Sequence, residues 1–219
     1  MMTTILENEL TSLERRYRAT LLNSLAGFRT AILVGTFSDN GVPNVAVFNS
    51  LIHLGADPAL WGLVMRPDPS SRDTYRNIQR TNRYTLNYLS AGWAKNVHQT
   101  SAKYNRSESE FSACGFTVEM SEGDLAPSVG EATIKVLMEH IETIPVPLNG
   151  THIVIGKPIR IQYPSSMIDN DGFANLPDEN ILGCIGLDAY SSTQLVARFG
   201  YAKPGVDVAG INLSDGSKS

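Results

Sequence analysis

The sequence predicts a mainly β domain: a β-barrel carrying helical insertions and an N-terminal helix. Three observations predict it. Six stretches read as strands, either as short apolar runs or by period-two alternation, and hairpin turns join several of them. The helical stretches between them are short and few. No βαβ alternation, GxGxxG or P-loop occurs, which disfavours a Rossmann nucleotide site.

Taken in order, residues 7–25 set Leu10, Leu13, Tyr17, Leu21 and Leu25 near a 3.6-residue period, an amphipathic helix, with Gly27 where a helix stops. Thr30 to Phe37 is an apolar run suited to a buried strand. Asp39-Asn40-Gly41 is a turn whose Asn-Gly pair tolerates positive φ, and Val42 to Phe48 resumes as a strand, so residues 30–50 form a hairpin. Ala59 to Met65 is a further strand, ended by Arg66-Pro67-Asp68-Pro69, where two prolines forbid a ladder. A short helix follows to about Arg80, with serine at its cap and Asp73 in its first turn. Tyr84 to Leu89 alternates as a strand, helical pieces follow at 91–99 and 107–113, and Gly115 stops the second. Ala132–Ile144 and Thr151–Tyr163 are strands about a turn at Gly150.

With 219 residues the chain builds one sizeable core without a second domain. Residues 1–202 read as that domain. The tail, 203–219, is rich in Gly, Asp and Ser, and is expected to be partly disordered or to drape over a partner. Hydrophobic residues at 42% and charged ones at 18% are ordinary for globular proteins. A net charge of -4 with scattered basic residues argues against a nucleic-acid groove. No apolar run is long enough for a membrane helix and Met1–Leu10 is acidic, so a cytoplasmic protein is the expectation. Cys114 and Cys184 have no CxxC spacing and read as small buried side chains, and the four histidines show no paired ligand spacing, so no metal is expected.

The stretch with most chemistry is Arg66 to Thr74. A strand ends in a cation, a rigid loop presents hydroxyls, and a helix begins; its first amides lack intrahelical acceptors and suit a phosphate. Ser71 and Thr74 offer hydroxyls, and Arg66 or Arg72 a forked pairing with the dianion. The same residues also describe a capped surface helix with Arg72 in water. Asn49-Ser50 and Asn87 close two strands, where amides and hydroxyls can meet the rim of a planar ring or serve turn and ladder.

Together the pieces Gly41-Val-Pro-Asn44, Phe48-Asn49-Ser50, Asp57-Pro58 through Arg66-Pro67, Ser71-Arg72-Asp73-Thr74, Asn87, Ser101-Ala102-Lys103-Tyr104, Glu110-Phe111 and Cys114-Gly-Phe-Thr117 resemble the flavin reductase-like, FMN-binding split-barrel family. The resemblance covers about residues 25–163. It implies FMN as cofactor, with Asn49 and Ser50 lining the isoalloxazine, and Arg66, Ser71, Arg72, Asp73 and Thr74 around the ribityl phosphate. Asn87 would sit near the ring or ribityl chain, and Ser101 and Lys103 would close the phosphate side. It further implies a homodimer with flavin near the interface, and an oxidoreductase that passes hydride or electrons from a reduced donor to a flavin, a protein or a small acceptor.

One triplet departs from the family. Members that oxidise NAD(P)H often carry Gly-Asp-His, where this chain has Gly150-Thr151-His152. An aspartate would orient the histidine and favour its cation, whereas threonine offers only a neutral hydrogen bond. His152 is still the candidate residue facing NADH or NADPH as co-substrate; the alternative is an FMN-binding electron carrier without a nicotinamide site. A third reading is a split barrel without flavin, acting as an interaction domain. The segment around Tyr201 resembles one that approaches the flavin edge, and reads equally as a packing aromatic.

Overall fold

The computed structural model describes residues 1–67 and 72–213. The N-terminal pattern forms two helices, α1 (Glu7–Ser12) and α2 (Arg15–Leu25). The single helix expected over 7–25 breaks at Leu13, whose ψ of 146° is extended, while the Glu14 carboxylate caps α2 by accepting from the Arg16 and Tyr17 amides. Neither helix buries a residue, and Leu25 is 74% exposed, so the apolar face read from the sequence is not packed on this chain's core. Gly27 follows with φ of 88°, a left-handed turn of the kind that ends helices.

The body is an antiparallel seven-stranded sheet. Its members are β2 (Ile32–Phe37), β3 (Pro43–Phe48), β4 (Leu51–Ala56), β5 (Ala59–Met65), β6 (Arg83–Tyr88), β9 (Ile134–Val146) and β10 (Thr151–Gln162), counted after a first short strand β1 (Phe28–Thr30) and past β7 (Val118–Glu119) and β8 (Ser128–Val129). Their order is β3-β2-β6-β9-β10-β5-β4. The two end strands, β3 and β4, do not pair, yet only Asn49 and Ser50 separate them in sequence. The sheet therefore curls into a barrel that is split along one seam, and the Asn49-Ser50 step crosses it. The chain is mainly β, with the split-barrel fold that the sequence predicts. β4 has no apolar alternation, with His53 and Gly55 inside it, and escapes sequence reading.

Alternation decides what fills the barrel. Val34, Leu63, Leu86, Val136, Met138 and Val154 are buried inside with Tyr84 at the centre. Helix α3 (Asp73–Thr81) links β5 to β6 and drops Ile78 into the same core. Its left-handed terminal residue, Asn82 (φ 53°), starts the return into β6. Gly156 lets β10 pass over Tyr84: a Cβ there would overlap the phenol oxygen.

A second core lies outside the barrel, where Leu33, Val45 and Leu89 meet Val97 of α4 (Ala94–Gln99) and Phe111 of α5 (Glu110–Ala113), with Cys114 and Cys184 buried and unbridged. β1 pairs with β11 (Gly183–Ile185), which pairs with β12 (Ala189–Ser191). The tail forms a hairpin of β13 (Arg198–Phe199) and β14 (Gly210–Ile211), fastened where Arg198 meets Asp169 and Asp171 and lies 4.0 Å over the Phe173 ring. The end of the tail expected to be disordered, from 214 on, lies outside the described residues. The strands β11 to β14, of two or three residues, are too short to show a period. Among the described residues, no helix is long and apolar enough to cross a membrane.

Candidate functional site

α3 covers one end of the barrel, and the residues of interest gather around its start. Arg66 follows β5 directly and is exposed; Arg72 holds the N-cap position of α3, exposed, with its side chain making no cap bond. The helix thus begins at Asp73, later than the serine cap expected from sequence, and Ser71 lies outside the described residues. Among the described residues neither Arg66 nor Arg72 is in an ion pair. Both side chains are exposed, and Arg72 stands at the positive end of the helix, next to its first-turn amides.

Asp73 points away from a direct anion-binding role. Its Oδ1 accepts from Arg76 at 2.5 Å and from Arg106 at 3.0 Å. The second bond ties the loop after α4 to the start of α3, which brings the exposed Ser101 and Lys103 to the same end of the molecule. The loop has another anchor: Tyr104 Oη accepts from Gln99 and lies 3.5 Å from Cys114 Sγ. Burial pushes the Cys114 thiol above its usual range, so it stays neutral there.

Thr74 is almost fully buried in a polar network that sequence reasoning did not assemble. Asn44 Nδ2 donates to Thr74 Oγ1 and to Thr36 Oγ1, each at 3.3 Å, and Asn77 Nδ2 donates to Thr36 Oγ1 at 2.9 Å. The signals available were a threonine inside the apolar run of β2 and the Thr74/Asn77 spacing on one helix face. Beside this network is a cleft of about 300 Å³ between the β2–β3 turn, α3 and the loop at 105–110, with Arg76, Arg80, Arg106, Asp73 and Glu110 on its walls. Burial, reinforced by Asp73 and Glu108, pushes the Glu110 carboxyl above its ordinary value despite the Val45 amide that donates to it.

At the seam, the Asn49 amide donates to the Gly186 carbonyl at 2.6 Å, and the Ser50 hydroxyl to the Val64 carbonyl at 3.0 Å. Those donors are engaged by the chain itself, which leaves the Asn49 carbonyl oxygen and the hydroxyl lone pairs of Ser50 as acceptors for a ring N–H. Ser50 lies across the strand pair from Val64, two residues short of Arg66.

His152 stands beside Met65 in the β5–β10 register, next to Arg66. Its Nδ1 is buried with no hydrogen-bond partner among the described residues, and its ring is 5.9 Å from that of Tyr75 on α3. Thr151 gives it no help: its hydroxyl donates to Asn149 at 2.7 Å.

Asn87 is not at the rim. It is 0% exposed, with its amide donating to the Leu33 carbonyl and the Thr85 hydroxyl and its carbonyl accepting from the Val129 amide. Both of its N–H donors and one lone pair of its carbonyl are used, joining β6 to β2 and β8 and bonding within β6 itself, because an inward polar side chain in a packed sheet must be satisfied locally. Tyr201 is 93% exposed, so it is not a buried packing aromatic of this chain.

Comparison with known proteins gives a consistent picture. The model of the flavin reductase like domain matches residues 26–176. A flavin reductase with split-barrel domain from Shewanella frigidimarina is 36% identical, with a TM-score of 0.88 over 92% of this chain and 100% of its own. Nitrilotriacetate monooxygenase component B from Bacillus cereus has a TM-score of 0.78 at 20% identity, over 90% of this chain and 98% of its own. The FMN-binding protein of Thermus thermophilus, solved with cyclohexenone, has a TM-score of 0.66 at 16% identity, over 80% and 93% of the two chains.

Proposed function

From the premise that the chain belongs to the flavin reductase-like family, we propose that it is an FMN-binding oxidoreductase passing electrons from a reduced donor, NADH or NADPH among them, to a flavin, protein or small acceptor. The observation that carries this reading is the meeting at one barrel end of Arg66, the start of α3 and His152, whose Nδ1 is buried without a partner among the described residues. A buried unpaired ring nitrogen costs free energy unless a ligand satisfies it.

The residues fit the group. Arg66, Arg72 and Thr74 would hold the phosphate, with Lys103 and Ser101 closing over it; Asn49 and Ser50 would meet the ring at the seam. Bound FMN supplies the hydride chemistry, so the chain needs no acid–base dyad of its own. Its work is to bind, to orient and to exclude water, and His152 is suited to orient a nicotinamide donor through a hydrogen bond. The protein should purify yellow or take up FMN, and NADH or NADPH should bleach it in stopped flow. A protein that stays colourless with added FMN refutes the reading.

One observation favours the second reading, an electron carrier without a nicotinamide site: the Thr151 hydroxyl donates to Asn149, so Thr151 does not orient His152. In that case neither nicotinamide bleaches the flavin, whereas for a reductase His152→Ala slows bleaching while FMN content stays constant.

We also propose a homodimer. Ile52, Leu54 and Ile153 crowd around Gly62 on the outer face of β4, β5 and β10, with Ile52 and Leu54 exposed in the single chain. An aliphatic sheet face of this kind marks an interface. Sedimentation should give twice the chain mass, and Leu54→Asp should halve it; a monomer at tens of micromolar, roughly the concentration regime of a weak dimer, refutes it.

A further inference from the structure

We infer that Asn44 is a positioning residue for phosphate binding: its side-chain amide fixes the Thr74 hydroxyl so that its proton is free for the anion. This rests on the reading that FMN phosphate lies at the start of α3. Asn44 itself is buried, in the layer between the first hairpin and α3, and reaches the anion site only through Thr74.

Counting donors and acceptors leads there. A hydroxyl has one proton and two lone pairs. Asn44 Nδ2 has two protons, and the structure directs one to Thr74 Oγ1 and the other to Thr36 Oγ1. Thr74 therefore receives on a lone pair and keeps its own proton to give. Had a carbonyl or carboxylate oxygen stood in that place, Thr74 would have turned its proton inward and shown an anion only lone pairs. Thr36 completes the arrangement. It is 0% exposed and accepts from Asn77 at 2.9 Å, so the same threonine anchors Asn44 and the second turn of α3. The helix start and the hairpin are thus held in one register, and the hydroxyl cannot swing without breaking a buried bond. Prealigned donors are worth more to a ligand than mobile ones, because less ordering remains to be done on binding.

Riboflavin is the probe that separates positioning from general damage, since it carries the ring and ribityl chain without the phosphate. Dissociation constants for FMN and riboflavin are measured by flavin-fluorescence quenching on folded protein, for wild type, Asn44→Ala, Thr74→Val and the double variant. The expected result for Asn44→Ala is a loss of FMN affinity of about tenfold, the low end for a hydrogen bond to a charged group, with riboflavin affinity unchanged. Thr74→Val should do the same, and the double variant should be no worse than Thr74→Val alone. Asn44→Asp keeps the side-chain size and carries the test if the alanine variant folds poorly; by drawing the Thr74 proton inward it should lower the preference for FMN further. The inference is overturned if Asn44→Ala weakens both flavins equally or neither, or if the double variant adds the two losses. Wild type that binds no FMN defeats the functional reading and this inference together. Wild type that prefers FMN, with a preference that responds to Thr74→Val but not to Asn44→Ala, defeats the inference alone.

Discussion

Replacing Gly156 by alanine tests how tightly the barrel interior is packed. The added Cβ would overlap Tyr84 Oη, and would lie 3.0 Å from Tyr84 Cζ and 3.2 Å from the Glu139 carbonyl oxygen. Tyr84 is 1% exposed at the centre of the core, so its ring has nowhere to swing. Overpacking of this kind costs about 1–3 kcal/mol. For a chain of this size each kcal/mol shifts the midpoint by about 2–4 °C, so Gly156→Ala should melt about 2–12 °C lower by circular dichroism. Tyr84→Phe removes the oxygen that makes the worst contact but leaves Cζ and the Glu139 carbonyl close. On top of Tyr84→Phe the same alanine should therefore cost about half as much, a coupling that only groups in contact show. A midpoint for Gly156→Ala within about 1 °C of wild type, or the same loss with and without the Tyr84 hydroxyl, would show the reasoning to be wrong.

Arg106→Ala removes one of the two ion-pair partners that Asp73 has among the described residues. Because both side chains are well exposed, stability should fall by less than about 1 kcal/mol, while FMN affinity should fall as the Lys103 loop loses its tie to α3; flavin titration beside a thermal melt reads both. Glu110 has a folded-state pKa raised by burial, so the native state holds the proton more tightly than the unfolded chain, and stability declines as pH rises from about 4.5. Glu110→Gln keeps an acceptor for the Val45 amide and should lose that decline, so its melting midpoint should gain on wild type as pH rises from 4 to about 7; parallel curves would contradict it. Arg198→Ala releases two carboxylates and the Phe173 ring at once. Limited proteolysis should then cut within 198–211 several-fold faster, and unchanged protection there would mean that the hairpin is held by something else.

Much of the fold is legible because apolar runs (β2, β5) and period-two alternation (β6, β9) are written in contiguous residues: β2, β3, β5, β6, β9 and β10 all coincide with strands expected from the sequence to within a few residues. The elements that escape share a physical reason. β4 carries His53 and Gly55 and turns mostly exposed side chains outward, and β11 to β14 are only two or three residues long, so their existence depends on partners far away in sequence. The N-terminal helix is legible by half. Its amphipathic period is real, but a carboxylate cap at Glu14 breaks it, and a period by itself does not say what the apolar stripe will meet.

The site divides along the same line. Its phosphate end is written locally, in a cation, a proline-bound loop and a helix start, and the cations Arg66 and Arg72 stand exposed there, in no ion pair among the described residues. Its ring end depends on distant contacts. Whether Asn49 offers an N–H or only an acceptor is decided by the Gly186 carbonyl, 137 residues on, and by the Cys184 sulfur 3.6 Å from the same nitrogen, and what Asn87 has left to offer is decided by Leu33, Thr85 and Val129. Motif position gives both asparagines the same promise, and burial separates them: the one on the seam keeps an acceptor unused among the described residues, while the one in the sheet interior is 0% exposed and bonded at both ends of its amide within the fold. A polar residue in a motif is thus a candidate ligand only if the structure leaves one of its hydrogen-bonding sites open. By that criterion the buried network of Thr36, Asn44, Thr74 and Asn77 is informative chiefly for what it leaves over at the start of α3, the Thr74 hydroxyl proton, since Thr74 enters the network as an acceptor.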